Sequence, residues 1–417
     1  MSDDAPRFDG VPLDTKTIPQ DRLNIDNKQR SNLFPWNGQF SPQLVEVLLR
    51  TYAPPAGFVV DPFLGSGTVL LEAGRLGLRA FGSEVNPAAL KMACVYRFIN
   101  VQSGRRREAI EGVEDLLEGT LPTSPSLFSP SVKAFDIPIP ELLTKAATSA
   151  VTPLCRTLLE SLVVLLDYGG REITADAVLK TWRNLRETVR ALPVSGEPVE
   201  SANCDARSLP LPDGSADIVI TSPPYVNVFN YHQQYRKSVE TLGWNLLEVA
   251  KAEIGSNRKH RGNRFLTVIQ YCLDISAVLT ELRRVCKPGA RIIFVVGRES
   301  NVRKTRFFNG EIVATLAVQS AGYRLEARQE RVFQNRFGEM IYEDILHFTP
   351  RALDNSVTPP AEIARAVLNA ALTRAPRESL ADLNSAIEKV EEVRPSPMYD
   401  REAAFSRQPG REIKEVV

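Results

Sequence analysis

The stretch from Gly57 to Glu84 restricts the possible folds more than any other part of the chain. Gly57-Phe58-Val59-Val60 is a short apolar strand. Asp61-Pro62-Phe63-Leu64-Gly65-Ser66-Gly67-Thr68 is a tight glycine-containing turn, Val69 to Leu76 has helical spacing, and Arg79-Ala80-Phe81-Gly82-Ser83-Glu84 is a second strand ending in an acid. Strand, turn, helix and strand in that order make a βαβ unit, which commits the chain to parallel pairing. In such a turn, backbone N–H groups at the helix start can approach a ligand, and glycine is needed where a Cβ would collide. Glu84 ends its strand 17 residues after Gly67, near the ~20-residue spacing at which a carboxylate reaches ribose hydroxyls in nucleoside-binding α/β folds. An acid ending a strand also serves as a helix cap or stays solvated, so this pattern alone leaves both readings open.

The alternation resumes much later. Ala216–Ile220 is an apolar strand, Leu273–Arg284 a helix, Cys286–Gly289 a turn, Ala290–Val296 a strand and Glu311–Ala321 a helix. Tyr323–Gln329 and Ile341–Phe348 read as a closing antiparallel pair. Strands alternating with helices imply a mainly parallel sheet covered on both faces. Between the two halves, residues 101–198 carry helix-like stretches (Ala109–Leu117, Glu141–Asp167, Ala175–Leu192) divided by a proline-rich loop, and are read as a helical insertion. Ser41-Pro42 ahead of an amphipathic run reads as N-cap and first helical residue. The organisation expected is therefore a polar arm (1–30), a split α/β domain (31–100 and 199–350), the insertion (101–198) and a helical extension with a polar tail from about Arg394 (351–417).

Composition removes other classes. The 417 residues, 43% hydrophobic and 24% charged, match a globular protein with enough chain for a large core. No apolar run approaches the ~20 residues of a membrane span, so no membrane association is expected. Met-Ser-Asp-Asp-Ala at the start is too acidic for a signal peptide. Five scattered cysteines and three dispersed histidines suggest neither disulfides nor a metal site, and the expected compartment is the cytoplasm. A net charge of +1 argues against a uniformly basic coat but does not exclude a local basic groove.

Ser222-Pro223-Pro224-Tyr225 directly follows the strand Ala216–Ile220 and Thr221. Two prolines stiffen the chain and remove both N–H donors, leaving carbonyls as fixed acceptors at a strand's C-terminal end, where α/β sites form. A serine hydroxyl and a proline carbonyl can accept both hydrogens of an exocyclic amine, and an aromatic ring beside them can stack on a heterocycle. The plain alternative is a strand-ending turn with Tyr225 in the core.

Taken together, Asp61–Thr68 and Thr221–Tyr225 closely resemble the cofactor and catalytic motifs of the DNA amino-methyltransferases, which methylate cytosine N4 or adenine N6 with S-adenosylmethionine. The resemblance covers roughly residues 32–100 and 199–350, with Leu33–Val47 similar to the segment preceding the cofactor turn and Asn203–Arg207 to the third cofactor motif. It implies a seven-stranded, mainly parallel Rossmann-like α/β sheet. It also implies that Asp61, Gly65 and Gly67 surround the methionine moiety, with Ser66 and Thr68 in the same turn. Phe63 would lie near the adenine, Glu84 would hold the ribose, and Asp205 would accept from the adenine amine, a turn residue being the alternative for Asp205. Ser222 and Pro223, stiffened by Pro224, would accept from the target amine, and Tyr225 would stack on the flipped base. The acceptors would polarise a nitrogen whose lone pair is delocalised into the ring, and no covalent enzyme intermediate is needed.

No cysteine follows a proline in a catalytic-looking loop, which disfavours methylation at cytosine carbon-5. Serine at the head of the tetrapeptide is commoner in the N4-cytosine branch, so cytosine N4 is expected. Adenine N6, an RNA base amine and an inactive nucleic-acid-binding module are the alternatives. The motif order, cofactor before catalytic, departs from many N4-cytosine members and weakens the base assignment. Double-stranded DNA is the expected partner, with a cognate restriction endonuclease acting on the same site without a stable complex. The cationic run Ser256–Arg264, with Arg258, Lys259, Arg261 and Arg264, follows the catalytic loop and is the expected phosphate contact, against a solvated loop as the bland reading. Tyr231 to Arg236 would line the pocket or groove. Arg105-Arg106-Arg107 reads as a solvated helix start.

Overall fold

The structure is a computed structural model that describes residues 11–121, 137–167, 169, 171–226, 233–255, 260, 262–335, 338–351 and 357–405. Nine strands are present among them: β1 Phe58–Asp61, β2 Arg79–Ser83, β3 Val199–Ala202, β4 Ala216–Thr221, β5 Cys286–Gly297, β6 Glu299–Val302, β7 Thr305–Phe308, β8 Tyr323–Gln334 and β9 Met340–Pro350. Seven form one sheet in the order β3-β2-β1-β4-β5-β9-β8. β3, β2, β1, β4 and β5 pair in parallel, and β9 runs antiparallel to both neighbours. β6 and β7 make a separate antiparallel hairpin. This is the expected α/β sheet with its antiparallel closing pair.

Strand alternation divides the core. Val59, Ile218, Ile220, Ile293, Val295 and Ile345 face one layer, with the helices Pro42–Tyr52 and Thr68–Arg75 and the helices of residues 101–198. Val60, Val219, Ile292, Phe294, Val296 and Leu346 face the other, with the helices Leu266–Val285, Pro360–Ala371 and Arg377–Glu388. Period-2 side-chain alternation in strands apolar on both faces is what a sheet covered on both sides requires.

The helices of 101–198 run Ser103–Thr120, Ile139–Ser149, Pro153–Leu165 and Ala175–Ala191. The continuous stretch expected over Glu141–Asp167 is two helices, because Pro153 cannot continue one and Thr152 caps the next through its side chain to the Cys155 N–H at 3.1 Å. Arg106 is not solvated as expected. It is buried, and its guanidinium donates to the carbonyls of Leu192 and Pro193 at 2.6 Å and of Val101 at 2.7 Å, tying the two ends of the helical segment together. The expected turn Cys286–Gly289 lies inside β5, as an irregularity between the pairs Ala216–Cys286 and Ile218–Arg291, with Gly289 at φ 79°.

Residues 13–24 pack on the outer edge of the sheet, and Gln29 and Arg30 bond to the helices Pro42–Tyr52 and Thr68–Arg75. Asp14 N–H donates to the Arg328 carbonyl at 2.8 Å, Gln20 donates to the Glu330 carbonyl at 2.7 Å, and Val332 N–H donates to Asn24 at 2.9 Å. Ile18 and Leu23 are fully buried. The segment so covers groups of β8 that an open edge would leave unpaired. No helix among the described residues is long and apolar enough to cross a membrane.

Candidate active site

The C-terminal ends of β1, β2 and β4 carry the turn Asp61–Thr68, Glu84 and Ser222–Tyr225, as strand order in an open α/β sheet dictates. A pocket of about 890 Å³, its open mouth included, sits there. Phe63, Gly65, Ser66, Thr68, Glu84, Asp205, Ser222 and Pro224 line it. Asp61, Gly67, Pro223 and Tyr225 do not line it but build its wall from behind.

Gly67 adopts φ 93°, where L side chains are strained, and a Cβ there would come within 2.7 Å of the Tyr96 ring. Asp61 is buried and accepts from the Thr221 hydroxyl at 2.7 Å and the Phe63 N–H at 3.1 Å. Burial raises its carboxyl to about 7. Glu84 accepts the Gly65 N–H on one oxygen and the Asn86 N–H on the other, each at 2.8 Å. Burial raises it to about 7 as well, with Asp61 and Glu253 adding like-charge repulsion. Each Glu84 oxygen keeps a second lone pair for a ligand hydroxyl.

Asp205 differs. One oxygen accepts from the Arg207 N–H and Nε, both at 2.9 Å, and the other from Arg207 Nη2 at 2.7 Å and the Tyr399 N–H at 2.9 Å. A carboxylate has about four lone-pair sites, so the expected bond from an adenine amine finds none vacant in this arrangement. The guanidinium beside it also holds the Asp205 carboxyl below its usual range despite burial.

Tyr225 packs edgewise on β5, where a Cβ at Gly297 would come within 2.9 Å of the ring. Its hydroxyl lies 3.3 Å from the Ser222 hydroxyl, and burial pushes the phenol well above its ordinary value, which keeps it neutral.

Several lining residues carried no individual sequence signal. Trp36 and Gln39 come from the segment before the cofactor turn; the Ser66 hydroxyl donates to Gln39 at 2.7 Å, and Trp36 stacks on Tyr235 at 6.1 Å between centroids. Ala252, Glu253 and Ile254 come from the segment ahead of the cationic run. Of that run, Arg258, Lys259 and Arg261 lie outside the described residues, as do Tyr231 and His232; Arg264 is exposed beside the start of the helix Leu266–Val285.

A family model described as a DNA methylase, of the N6/N4 type, matches residues 15–94. That stretch holds the docked N-terminal segment, the cofactor turn and Glu84, and leaves Ser222–Tyr225 outside. The Type II methyltransferase M.BsoBI of Geobacillus stearothermophilus is 22% identical over 412 residues, covering 72% of this chain and 79% of that protein. Over these stretches the chain is similar to DNA methyltransferases. A second such enzyme, M.MjaII of Methanocaldococcus jannaschii, is 35% identical over 67 residues, 15% of this chain and 13% of that one. A SAM-dependent methyltransferase structure from Methanosarcina mazei aligns at a TM-score of 0.35 and 13% identity over 73% of this chain and 98% of its own. Glu84 and the turn residues Gly65, Ser66 and Thr68 face that pocket together, where the open carboxylate lone pairs would suit the ribose hydroxyls of S-adenosylmethionine.

Proposed function

We propose that this methyltransferase acts on double-stranded DNA at a specific sequence and methylates the exocyclic amine of a flipped base, cytosine N4 in the first instance. The observation that carries this reading is that Ser222 and Pro224 line the same pocket as Gly65, Ser66, Thr68 and Glu84, so an amine held by the tetrapeptide lies beside the cofactor turn. S-adenosylmethionine supplies there a methyl group activated by a sulfonium. Asp61, Phe63, Gly65, Ser66, Gly67, Thr68 and Glu84 shape its seat.

The protein's own work is positioning and electrostatics. The Ser222 hydroxyl and the Pro223 carbonyl accept from the amine, favour a pyramidal nitrogen and offset the positive charge that develops on it. Tyr225, a neutral phenol backed by Gly297, offers an aromatic face for the extruded base and offsets part of the unstacking cost. The cationic run from Arg258 through Lys259 and Arg261 to Arg264 contacts phosphates. A restriction endonuclease recognising the same site would be the biological counterpart. The serine at the head of the tetrapeptide is what favours cytosine N4 over adenine N6.

The test is methylation of DNA in vitro, digestion to nucleosides and mass spectrometry. N4-methyl-2′-deoxycytidine is the expected product. N6-methyladenine would move the assignment to the other branch, and methyl transfer to transfer RNA in preference to DNA would overturn it.

A further inference from the structure

The residues after Arg394, read from sequence as a polar tail, are built into the third cofactor motif. Arg207 is buried and places all five of its N–H donors. Nε and Nη2 grip Asp205 at 2.9 and 2.7 Å, Nη1 reaches Asp274 at 2.9 Å and the Ser396 carbonyl at 2.7 Å, and Nη2 also reaches the Pro397 carbonyl at 2.8 Å. Ser396 returns its N–H and hydroxyl to Asp274 at 2.9 and 2.7 Å. Tyr399 gives its N–H to Asp205 at 2.9 Å and its hydroxyl to Asn203 Oδ1 at 2.7 Å, while Asn203 Nδ2 donates to the Glu84 carbonyl at 2.7 Å. Further on, the Ala404 carbonyl accepts the Asn245 N–H at 2.7 Å and Phe405 packs on Trp244 at 4.9 Å. The segment thus runs from the cofactor-motif loop to the helix Leu246–Ala252, which leads into the pocket residues Ala252–Ile254.

We propose that Ser396–Tyr399 is a positioning strap for the cofactor site, and that Asp205 acts as the strap's anchor and not as the acceptor of the cofactor's adenine amine. This rests on the methyltransferase reading. With every lone-pair site of Asp205 filled from inside the protein, the adenine end of the pocket is met by the loop 204–206 itself. Arg207 and Tyr399 hold that loop in place. Tyr399 also acts on the ribose end, through Asn203 and the backbone of Glu84. Tyr399 is half-buried and its hydroxyl makes one bond in the relay, so its removal as Tyr399→Phe leaves packing intact.

The experiment measures binding by calorimetry with two probes, S-adenosylhomocysteine and its analogue lacking the adenine 6-amino group, on wild type, Tyr399→Phe and Asp205→Asn. A strap predicts that Tyr399→Phe weakens S-adenosylhomocysteine binding about three- to tenfold, the worth of one hydrogen bond. Turnover at saturating cofactor stays within about twofold, because the chemistry lies at Ser222–Tyr225. Unchanged affinity in Tyr399→Phe, or a loss confined to turnover, overturns the strap. For the anchor role, deleting the adenine amine costs the same factor in wild type and in Asp205→Asn. A penalty that disappears in Asp205→Asn shows that Asp205 holds the amine and overturns that part. Should Asp205→Asn not fold, Tyr399→Phe still decides the strap, and Asp205→Ser takes its place in the amine comparison. A wild-type protein that binds neither probe refutes the methyltransferase reading, an outcome distinct from a bound probe that is indifferent to both variants.

Discussion

The hydroxyl of Thr221 donates to Asp61 at 2.7 Å, bonding the end of β4 to the end of β1 beneath the pocket floor. The first residue of the turn Asp61–Thr68 is thereby fastened to the residue preceding Ser222. Thr221→Val removes the donor and leaves the buried Asp61 with the Phe63 N–H alone. The expected cost is about 1–3 kcal/mol of stability, read in urea unfolding, together with a fall in turnover larger than the fall in cofactor affinity. Unaltered stability and turnover would show the bond to be incidental.

Asp61 and Glu84 make the protein pH-sensitive in a defined direction. Burial raises Asp61 from 3.8 and Glu84 from 4.5, each to about 7. Between those limits the folded state holds protons that the unfolded chain has released. Their contribution is therefore fully present below about pH 4 and is lost as pH rises through about 7. Urea midpoints of Glu84→Gln should fall less steeply than those of wild type between about pH 5 and about pH 8. Parallel curves would refute the shift. A ligand that requires ionised Glu84 should also bind with proton release below about pH 7, visible as a buffer-dependent heat.

Gly297 is the seat of the Tyr225 ring. Gly297→Ala sets a Cβ within 2.9 Å of Tyr225 Cε2 and pushes the ring out of place. Methyl transfer should drop about tenfold or more, since misplacement on the scale of 1 Å costs up to about a hundredfold, with cofactor affinity near wild type. Tyr225→Ala and Pro223→Ala should show the same split; full turnover in both would remove the tetrapeptide from catalysis.

Arg264 is exposed two residues ahead of the helix Leu266–Val285. If it neutralises one phosphate, Arg264→Ala lowers the slope of log affinity against log salt by about one. Replacing Arg258, Lys259 and Arg261 as well should lower it further, and an unchanged slope in the quadruple variant would remove the run from the interface.

What could be read from the residues was what local pattern encodes. The turn Asp61–Thr68 and the strands around it follow from glycine spacing and apolar runs, and Pro42 does open the helix Pro42–Tyr52, with Ser41 at the N-cap position but without a side-chain capping bond. β3 was missed because Val199-Glu200-Ser201-Ala202 is short and half polar, and it is a strand only because β2 pairs with it. The β6–β7 hairpin was missed because its turn is Arg303-Lys304, at φ 49° and 62°, without the glycine or asparagine that marks such turns. At the site, Glu84 stood out because spacing along one chain segment placed it. Gln39 and Glu253 act through partners distant in sequence, and no local pattern shows them; Thr221 was legible as part of the motif, but its bond to Asp61 was not. Asp205 was legible as a position, but its bond from the Tyr399 N–H was not, because the two residues are 194 positions apart.

The bond from Tyr399 to Asp205 joins residues 194 positions apart. At about 5–20 residues per second of synthesis, the loop carrying Asp205 waits about 10–40 s for its partner. Throughout that interval Arg207 has no Ser396 or Pro397 carbonyl to meet, and only Asp205 and then Asp274 can take its guanidinium. The loop that carries Asp205 and Arg207 therefore gains these partners long after the glycine turn has been made, although the residues that line the pocket, Trp36 to Ile254, all precede them in synthesis.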